Sequence, residues 1–408
     1  MSSILHQEIS SSAIFQINQC LSFLLNLFLY QHLKATAMQT LLTNVLLLFV
    51  TTALSYLVPN PSGKHNVTVT LGTLTDYNRD GRTLMLSVFQ PTKCSSTVPI
   101  PYMPNRTADF QGPFLQQLFG VPIDLSPLFR EAQLPVCPNY RRTGNCSLSD
   151  DETPILLFSP GYSIPRTYYN HIVSSVASEG FIVISIDHPG DANIITYPDG
   201  HTIINNDTVQ SLDSIRAQIP HVVADVSFII DQLSNATAIA EILPHRGPRA
   251  FPTDRVAMLG HSLGGLAAVI AAGQDCRIRG AINWDATFLE LPTDPTQPVL
   301  LMSHGHADDT WPEAWPFLKG PKLWVDVANT THLSFSDGAT LFEASGQDPT
   351  ALGELLGTIP PTRMVKILVA YSTAWMNSVF AGKIGGPLLD GQEPERFPEA
   401  SIVLKDNF

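Results

Sequence analysis

The sequence predicts an α/β fold in which a mostly parallel β-sheet is covered by helices on both faces. From about residue 153 onward, short and almost continuously apolar segments alternate with helical patterns, which is typical of parallel strands buried on both faces. Before them, residues 65–91 alternate apolar and polar side chains around the turn Asn78–Gly81, and this pattern predicts an antiparallel hairpin. Hydrophobic residues make up 44% of the 408 residues, which is enough for a large core.

The predicted elements follow one another without an internal repeat. The apolar segments that predict parallel strands are 154–161, 181–190, 255–262, 280–287, 298–305 and 322–328. The segments with helical patterns are 167–179, 220–234, 263–273 and about 362–380. Residues 94–150 are rich in proline and asparagine and predict an irregular insertion or cap rather than a second core. We therefore expect one domain over residues 59–408 that contains this insertion.

Residues 1–58 differ from the rest of the chain and are predicted to form a leader. Their first apolar stretch is too short to cross a bilayer, and the second, at 41–54, has the length of a signal-peptide core. Positions 53–55 then carry the small-x-small pattern of a signal-peptidase site. Because Met38 directly precedes the second stretch, a start at Met1 and a start at Met38 both stay open. The leader predicts a secreted protein, and the alternative is a signal anchor that leaves the protein facing the lumen or the exterior.

The surface charge is low and acidic. Acidic residues outnumber basic ones 36 to 23, which gives a formal net charge of −13, and only 14% of the residues are charged. A chain of this charge is repelled by a phosphate backbone, and it has no basic run with interleaved aromatic residues. We therefore expect no nucleic-acid partner.

Sequons for N-linked glycosylation support the extracellular prediction, because glycans would solubilise a surface with few charges. The asparagines of these sequons are Asn66, Asn105, Asn145, Asn206, Asn235 and Asn329. The cysteines agree, since removal of the leader leaves an even number of them for an oxidising compartment. Cys137 and Cys146 lie close together in one loop and are predicted to form a disulfide, with Cys94 and Cys276 as the remaining pair.

The strongest sign of chemistry is Gly-His-Ser-Leu-Gly at positions 260–264. An apolar strand precedes this motif and an apolar helix follows it, which is the setting of a nucleophile elbow. The sharp turn lifts the hydroxyl of Ser262 above the sheet, and the next amide, that of Leu263, faces the place where an oxyanion develops. The pattern predicts Ser262 as a nucleophile with Leu263 as an oxyanion donor.

The remaining groups of a catalytic triad are expected after later strands. A second oxyanion donor is predicted at the amide of Tyr162, in the loop that follows the strand 154–159. His332 comes just after the last predicted strand, where the order serine, acid, histidine places the base. Two carboxylates are candidates for the acid, Asp285 at the end of one strand and Asp308 after the next.

Other histidines fit these roles less well than His332. His261 precedes the nucleophile, and its side chain is expected to point away from the site. His304, His306, Asp308 and Asp309 form H-x-H-x-D-D, but this spacing matches no known zinc or di-iron pattern. We therefore expect neither a metal nor another cofactor.

Taken together, these motifs resemble the secreted platelet-activating factor acetylhydrolase family, which are α/β-hydrolases. The resemblance rests on G-H-S-L-G-G at 260–265, I-N-W-D-A-T at 282–287 and T-H-L-S-F-S-D at 331–337, and on the segments S-P-G-Y and D-H-P-G-D. It extends over most of the mature chain. One departure is Pro160, where animal members of the family carry a histidine.

The resemblance implies a role for each candidate residue. It implies that Ser262 is the nucleophile, Asp285 the acid and His332 the base, and that the amides of Tyr162 and Leu263 form the oxyanion hole. It also implies a serine esterase that hydrolyses the sn-2 ester of phospholipids with a short or oxidised acyl chain. The alternatives are a carboxylesterase or cutinase-like enzyme of broader specificity, and a hydrolase fold that binds without catalysis.

The insertion carries apolar residues at helical spacings that suit either of two roles. They either form a stripe that faces the core or form a patch that rests on a lipid surface. These residues are Phe110, Phe114, Leu115, Leu118, Phe119, Val121, Ile123 and Leu128. The predicted partners are therefore a phospholipid or other ester and, peripherally, a lipid surface.

Overall fold

A computed structural model describes residues 55–94, 96–120, 124–138, 153–205, 211–243, 249–305 and 309–408. The predicted leader lies outside these residues except for its last four positions. Several residues named above also lie outside them, namely Val121, Ile123, Asn145, Cys146, Asn206, His306 and Asp308.

The strands are short and mostly buried. In chain order they are β1 (Tyr56–Leu57), β2 (Asn66–Asp76), β3 (Arg82–Thr92), β4 (Val98–Pro101), β5 (Ala132–Val136), β6 (Ile155–Ser159), β7 (Ile182–Asp187), β8 (Ile194–Thr196), β9 (Thr202–Ile204), β10 (Val256–His261), β11 (Ile278–Trp284), β12 (Val299–His304), β13 (Lys322–Val327) and β14 (Ala400–Asp406).

One large mixed sheet organises the molecule, in the order β14-β13-β12-β11-β10-β6-β7-β3-β2. The strands from β13 to β7 are parallel to one another, which confirms the predicted parallel sheet. β2 and β3 form the predicted hairpin, with Asn66 opposite Thr92 at one end and Asp76 opposite Arg82 at the other. β14 adds an antiparallel edge strand beside β13. Two small sheets, β1-β5-β4 and β8-β9, lie apart from it.

The helices form the outer layers. In chain order they are α1 (Asn105–Phe119), α2 (Ser126–Glu131), α3 (Asn170–Ala177), α4 (Leu212–Leu233), α5 (Ala236–Ile242), α6 (Leu263–Gln274), α7 (Thr310–Ala314), α8 (Gly338–Ala344), α9 (Gly353–Leu356) and α10 (Pro361–Phe380).

Two hydrophobic layers result, one on each face of the sheet. α3, α8 and α10 contribute to one core together with α1 and α2. α4, α5 and α6 contribute to the other. Within the described part of the chain, no single helix has both the length and the apolar composition needed to cross a membrane, while α4 and α5 meet these criteria only as a pair bent by 104°.

The insertion is more regular than the sequence predicts. It contains α1, α2, β4 and β5, and β5 pairs in parallel with β1 near the start of the described chain. Residues 55–58 pack with the folded unit, and Val58 is buried. The sequence concealed the two strands because β4 has four residues and β5 has five, and both contain proline.

The disulfide joins Cys94 to Cys137, so the predicted pairing of Cys137 with Cys146 is wrong. The remaining pair, Cys94 with Cys276, is wrong as well, and Cys276 is a free, exposed cysteine. The sheet explains the pairing. The amide of Cys137 donates to the carbonyl of Val67 on β2, and Asn66 of the same strand donates its Nδ2 hydrogen to the carbonyl of Cys94. Both cysteines thus meet at the start of β2, although 43 positions separate them in sequence.

Candidate active site

Ser262 lies between the end of β10 and the first residue of α6. Its φ angle is +53°, in a region that side chains other than glycine rarely adopt. The turn is so tight that a Cβ on Gly260 would lie 2.3 Å from the carbonyl carbon of Gly264, and one on Gly264 would lie 2.0 Å from the carbonyl oxygen of Ser159. Leu263 opens α6, where the first amides have no acceptor within the helix. The strand–turn–helix geometry is therefore the one that the motif predicts.

Asp285 and His332 meet beside this serine. Asp285 follows β11, the neighbour of β10 in the sheet, and His332 opens a 3₁₀ turn after β13. His332 Nδ1 donates to Asp285 Oδ2 at 2.6 Å. Ser262 and His332 line the same two cavities. The structure thus brings three of the predicted residues together, while the other candidate acid, Asp308, lies outside the described residues.

His304 is a member of this cluster that the sequence reasoning did not assign to it. Its Nδ1 donates to Asp285, at 2.7 Å from Oδ2 and 2.8 Å from Oδ1, and its amide donates to Oδ1 at 2.9 Å. Burial alone would raise the pKa of Asp285, but the hydrogen bonds from His304 and His332 hold it well below its usual range. The sequence places His304 at the end of a predicted strand, but only the pairing of β12 with β11 brings it to Asp285.

The side chain of His261 faces the site, so the expectation that it points away is wrong. Its ring lies 4.5 Å from that of His332, centroid to centroid, and its Nε2 donates to the carbonyl oxygen of His332 at 3.0 Å. Its Nδ1 accepts from the hydroxyl of Tyr169 at 2.8 Å, and that hydroxyl accepts from the amide of Gly161. Burial and the nearby His332 lower the pKa of His261 to about 3, so the ring is neutral, as these hydrogen bonds require. His261 ends the central strand β10, and its ring contacts the loop that carries His332.

The loop after β6 is held against the elbow. The amide of Gly264 in α6 donates to the carbonyl of Pro160 at 3.1 Å. The missing amide hydrogen of Pro160 therefore leaves this contact intact. Tyr162, whose amide is the second predicted oxyanion donor, lines the same cavity as Ser262.

Two cavities meet at Ser262. The larger has a volume of about 610 Å³ and is walled by apolar side chains of α1, α2 and α8, including Leu118, Leu128 and Phe342. The smaller has a volume of about 380 Å³ and is lined by Asp285 and Trp311, among others. The cap thus covers one side of the site, and an ester bound at Ser262 has room for a group on each side of its carbonyl carbon.

Three possible metal donors converge here, since atoms of His261, Asp285 and His332 lie within 4.8 Å of one another. Both ring nitrogens of His261 are already engaged, by Tyr169 and by the His332 carbonyl. Asp285 and His332 are bonded to each other. The arrangement fits a hydrogen-bonded relay better than a set of metal ligands, which would need these lone pairs.

The fold and this arrangement are those of an α/β-hydrolase. A ferulic acid esterase from Streptomyces cinnamoneus has a similar fold, with a TM-score of 0.67 and 23% identity over 86% of this chain and 100% of that one. The model of a family described as platelet-activating factor acetylhydrolase, isoform II, matches residues 51–219. Over these residues the chain is similar to the platelet-activating factor acetylhydrolases.

Two curated relatives are also similar to this chain. A probable 1-alkyl-2-acetylglycerophosphocholine esterase from Arthroderma benhamiae is 28% identical over 382 residues, which cover 86% of this chain and 94% of the relative. A platelet-activating factor acetylhydrolase from Canis lupus familiaris is 25% identical over 274 residues, which cover 57% of this chain and 56% of the relative. The family-model match includes Tyr162 but ends before Ser262, Asp285 and His332.

Proposed function

We propose that the protein is a serine esterase that hydrolyses the sn-2 ester of phospholipids with a short or oxidised acyl chain. The observation that carries the proposal is the strained Ser262 at the junction of two cavities, beside a histidine that is hydrogen-bonded to a buried carboxylate. The names of the curated relatives supply the substrate class. The larger, mostly apolar cavity under the cap suits a lipid ester.

The geometry supports a two-step reaction. Ser262 Oγ attacks the ester carbon while His332 Nε2 takes its proton, and Asp285 stabilises the imidazolium through the Nδ1 hydrogen. The amides of Tyr162 and Leu263 stabilise the oxyanion. The carbon–oxygen bond to the glycerol breaks, the leaving alcohol takes the proton from His332, and a lysophospholipid departs. Water then attacks the acyl-enzyme by the same route and releases the carboxylic acid.

Replacement of the nucleophile tests this proposal. A fluorophosphonate probe should label the wild-type protein once, and Ser262→Ala should abolish the labelling and lower ester hydrolysis by several orders of magnitude. Labelling that persists in Ser262→Ala would contradict the mechanism.

A substrate panel then tests the substrate class. Phospholipids that differ in sn-2 chain length and head group should be compared with p-nitrophenyl and aryl esters. The proposal predicts the highest kcat/KM for short or oxidised sn-2 chains on phospholipids. Equal or higher values for simple esters would instead identify a carboxylesterase of broad specificity.

We also propose that the mouth of the larger cavity contacts a lipid surface. Leu115 and Leu128 are buried and line the cavity, whereas Leu118, one turn away on α1, lines its rim and is 37% exposed. Leu118→Ser should weaken binding to phosphatidylcholine vesicles without changing the hydrolysis of a soluble ester. Leu71→Ser, at an exposed leucine on β2, is the matched control. Equal vesicle binding by all three proteins would contradict the proposal.

We propose further that the protein is a secreted glycoprotein. The Cys94–Cys137 disulfide suits an oxidising compartment, and the described sequons at Asn105, Asn235 and Asn329 are exposed. Endoglycosidase treatment should increase the gel mobility of the native protein. An unglycosylated cytosolic protein that retains residues 1–55 would contradict this.

A further inference from the structure

Two segments that the sequence singled out, S-P-G-Y at 159–162 and D-H-P-G-D at 187–191, are bound to each other in the structure. Ser159 ends β6 and His188 follows the adjacent strand β7, and Ser159 Oγ lies 3.0 Å from His188 Nε2. His188 Nδ1 donates to Asp225 Oδ2 on α4 at 2.9 Å. These three side chains are almost completely buried.

This trio has the connectivity of a serine–histidine–carboxylate relay but lacks access to substrate. Ser159 is 0% exposed and lines neither of the cavities at Ser262. Arg82 binds Asp225, at the end of the trio opposite Ser159. Its Nε and Nη2 donate to the two oxygens of Asp225, each at 2.7 Å. Burial opposes ionisation, yet the hydrogen bonds from His188 and Arg82 hold the pKa of Asp225 at about 2. The carboxylate therefore fixes His188 in the tautomer that presents Nε2 as an acceptor for the Ser159 hydroxyl.

Asp191, the last residue of the D-H-P-G-D segment, holds the other end of the loop Ser159–Ser163. Asp191 Oδ1 accepts the amide of Ser163 at 3.0 Å, and both residues are buried. Ser163 has a φ angle of +61°, so its backbone adopts a strained conformation that the Asp191 contact stabilises. Tyr162, the predicted oxyanion donor, thus lies between two residues that the D-H-P-G-D segment binds.

We propose that His188 and Asp191 are positioning residues that hold the loop Ser159–Ser163 so that the Tyr162 amide points at the developing oxyanion. This inference rests on the proposed function. An oxyanion donor acts only when it lies about 2.7–3.1 Å from the position that the oxyanion will occupy, and loss of one such donor costs about 10²–10³ in kcat. If one end of the loop is released, the Tyr162 amide should stabilise the oxyanion less well. The loss should therefore lower kcat and leave KM unchanged.

Replacements of Asp191 test the role of its oxygen. Asp191→Ala removes the acceptor and should lower kcat for p-nitrophenyl acetate by about 10–100-fold, with KM changed by less than about twofold. Asp191→Asn keeps an oxygen at Oδ1 and should stay within about threefold of the wild-type kcat. If Asp191 only supported the fold in a general way, Asp191→Asn would not restore the kcat that Asp191→Ala loses.

Ser159→Ala tests the other end of the loop and provides a second variant if Asp191→Ala does not fold. It should also lower kcat by about 10-fold or more at unchanged KM. The matched control is Ser185→Ala on the neighbouring strand β7, because Ser185 is equally buried and its hydroxyl has no hydrogen-bond partner among the described residues. This control should keep the wild-type kcat.

The outcomes separate this proposal from the proposed function. Wild-type kcat in folded Ser159→Ala and Asp191→Ala would overturn the positioning role, and so would an equal loss in Ser185→Ala. An increase in KM at constant kcat would overturn it too, since the loop would then contribute to ground-state binding. The serine mechanism of the proposed function fails if Ser262→Ala retains activity, and its substrate class fails on the substrate panel; neither result depends on the loop variants.

Discussion

At the scale of single residues, Ser262 and Asp285 share an unusual backbone. Their φ angles are +53° and +56°, and each directly follows a strand of the parallel sheet. Such strain persists only where the surroundings impose it. Here the amide of Ser262 donates to the Trp284 carbonyl and that of Asp285 to the Met302 carbonyl, so each turn is tied to the next strand. The sheet itself therefore aims both side chains at the same edge.

Replacement of Asp285 by asparagine should lower kcat by about 10⁴ while the fold persists. The triad acid must accept the Nδ1 hydrogen of the histidine, and an amide in its place misorients the imidazole. In the structure, His332 Nδ1 donates to Asp285 Oδ2 at 2.6 Å, and this is the hydrogen bond that the replacement disrupts. Steady-state kinetics with circular dichroism as the fold check measures the effect.

The matched control is Asp308→Asn, which should stay within about tenfold of the wild type. If instead Asp308→Asn loses activity and Asp285→Asn keeps it, the acid belongs after β12. If neither variant loses activity, no carboxylate orients His332 and the triad model is wrong.

The sequence predicted the site residues only as far as local motifs reach. Ser262 follows from its glycine motif and His332 from its place after the last parallel strand. His304 and His261 could not be assigned because their roles depend on which strands are neighbours in the sheet. The sequence order of β10, β11, β12 and β13 is also their spatial order, but only the folded sheet shows that their ends converge on Asp285.

At the scale of elements, the apolar segments predicted the parallel strands well because each is buried on both faces. The edge elements were harder. β14 pairs with β13 on one side only, and its exposed Val403 and Leu404 follow no core-facing pattern. The hairpin of β8 and β9 was missed for a related reason, since each strand has only three residues. Tertiary pairing, rather than local propensity, decides such elements.

Asp225 on α4 binds Arg82 on β3 and His188 after β7, and these contacts should make the free energy of unfolding depend on pH. The pKa of Asp225, about 2, lies below the usual 3.8 of an aspartate, so the ionised form stabilises the fold. This contribution, about 2 kcal/mol, is complete above the unfolded pKa and is lost as the pH falls from about 4 toward 2. In urea titrations, the stability difference between the wild type and Asp225→Asn should therefore shrink over that interval.

An exposed carboxylate on the same helix gives the control. Asp213→Asn should keep a free energy of unfolding close to that of the wild type at pH 7, because the side chain of Asp213 is 95% exposed. A difference between the wild type and Asp225→Asn that stays constant from pH 7 to pH 2.5 would show that the buried ion pair is not coupled to folding.

At the scale of the whole molecule, the disulfide links the sheet to the cap. Cys94 follows β3 and Cys137 follows β5, so the bond closes a loop that includes α1 and α2. These helices form one wall of the larger cavity. Sequence proximity favoured Cys146 as the partner, but the pairing is set by which strand ends meet at β2, and that depends on long-range contacts.

Removal of this disulfide should lower the free energy of unfolding by about 4 kcal/mol, from the chain entropy of a loop of this length. The comparison is between the wild type and Cys94→Ser in denaturant titrations, with Cys276→Ser as the control that should match the wild type. Peptide mapping without reduction should recover the peptides of Cys94 and Cys137 joined to each other. A joined pair of Cys137 and Cys146 peptides would contradict the structure.

Trp311 gives the protein a built-in optical reporter. It is buried, it lines the smaller cavity, and its ring lies 5.3 Å from that of Trp324, centroid to centroid. The emission of an indole depends on the polarity around it, and a ligand that displaces water from this cavity changes that polarity. Occupancy of the smaller cavity can therefore be followed by intrinsic fluorescence in the inactive Ser262→Ala protein, without a dye and without turnover. Trp311→Phe identifies the part of the signal that comes from this ring.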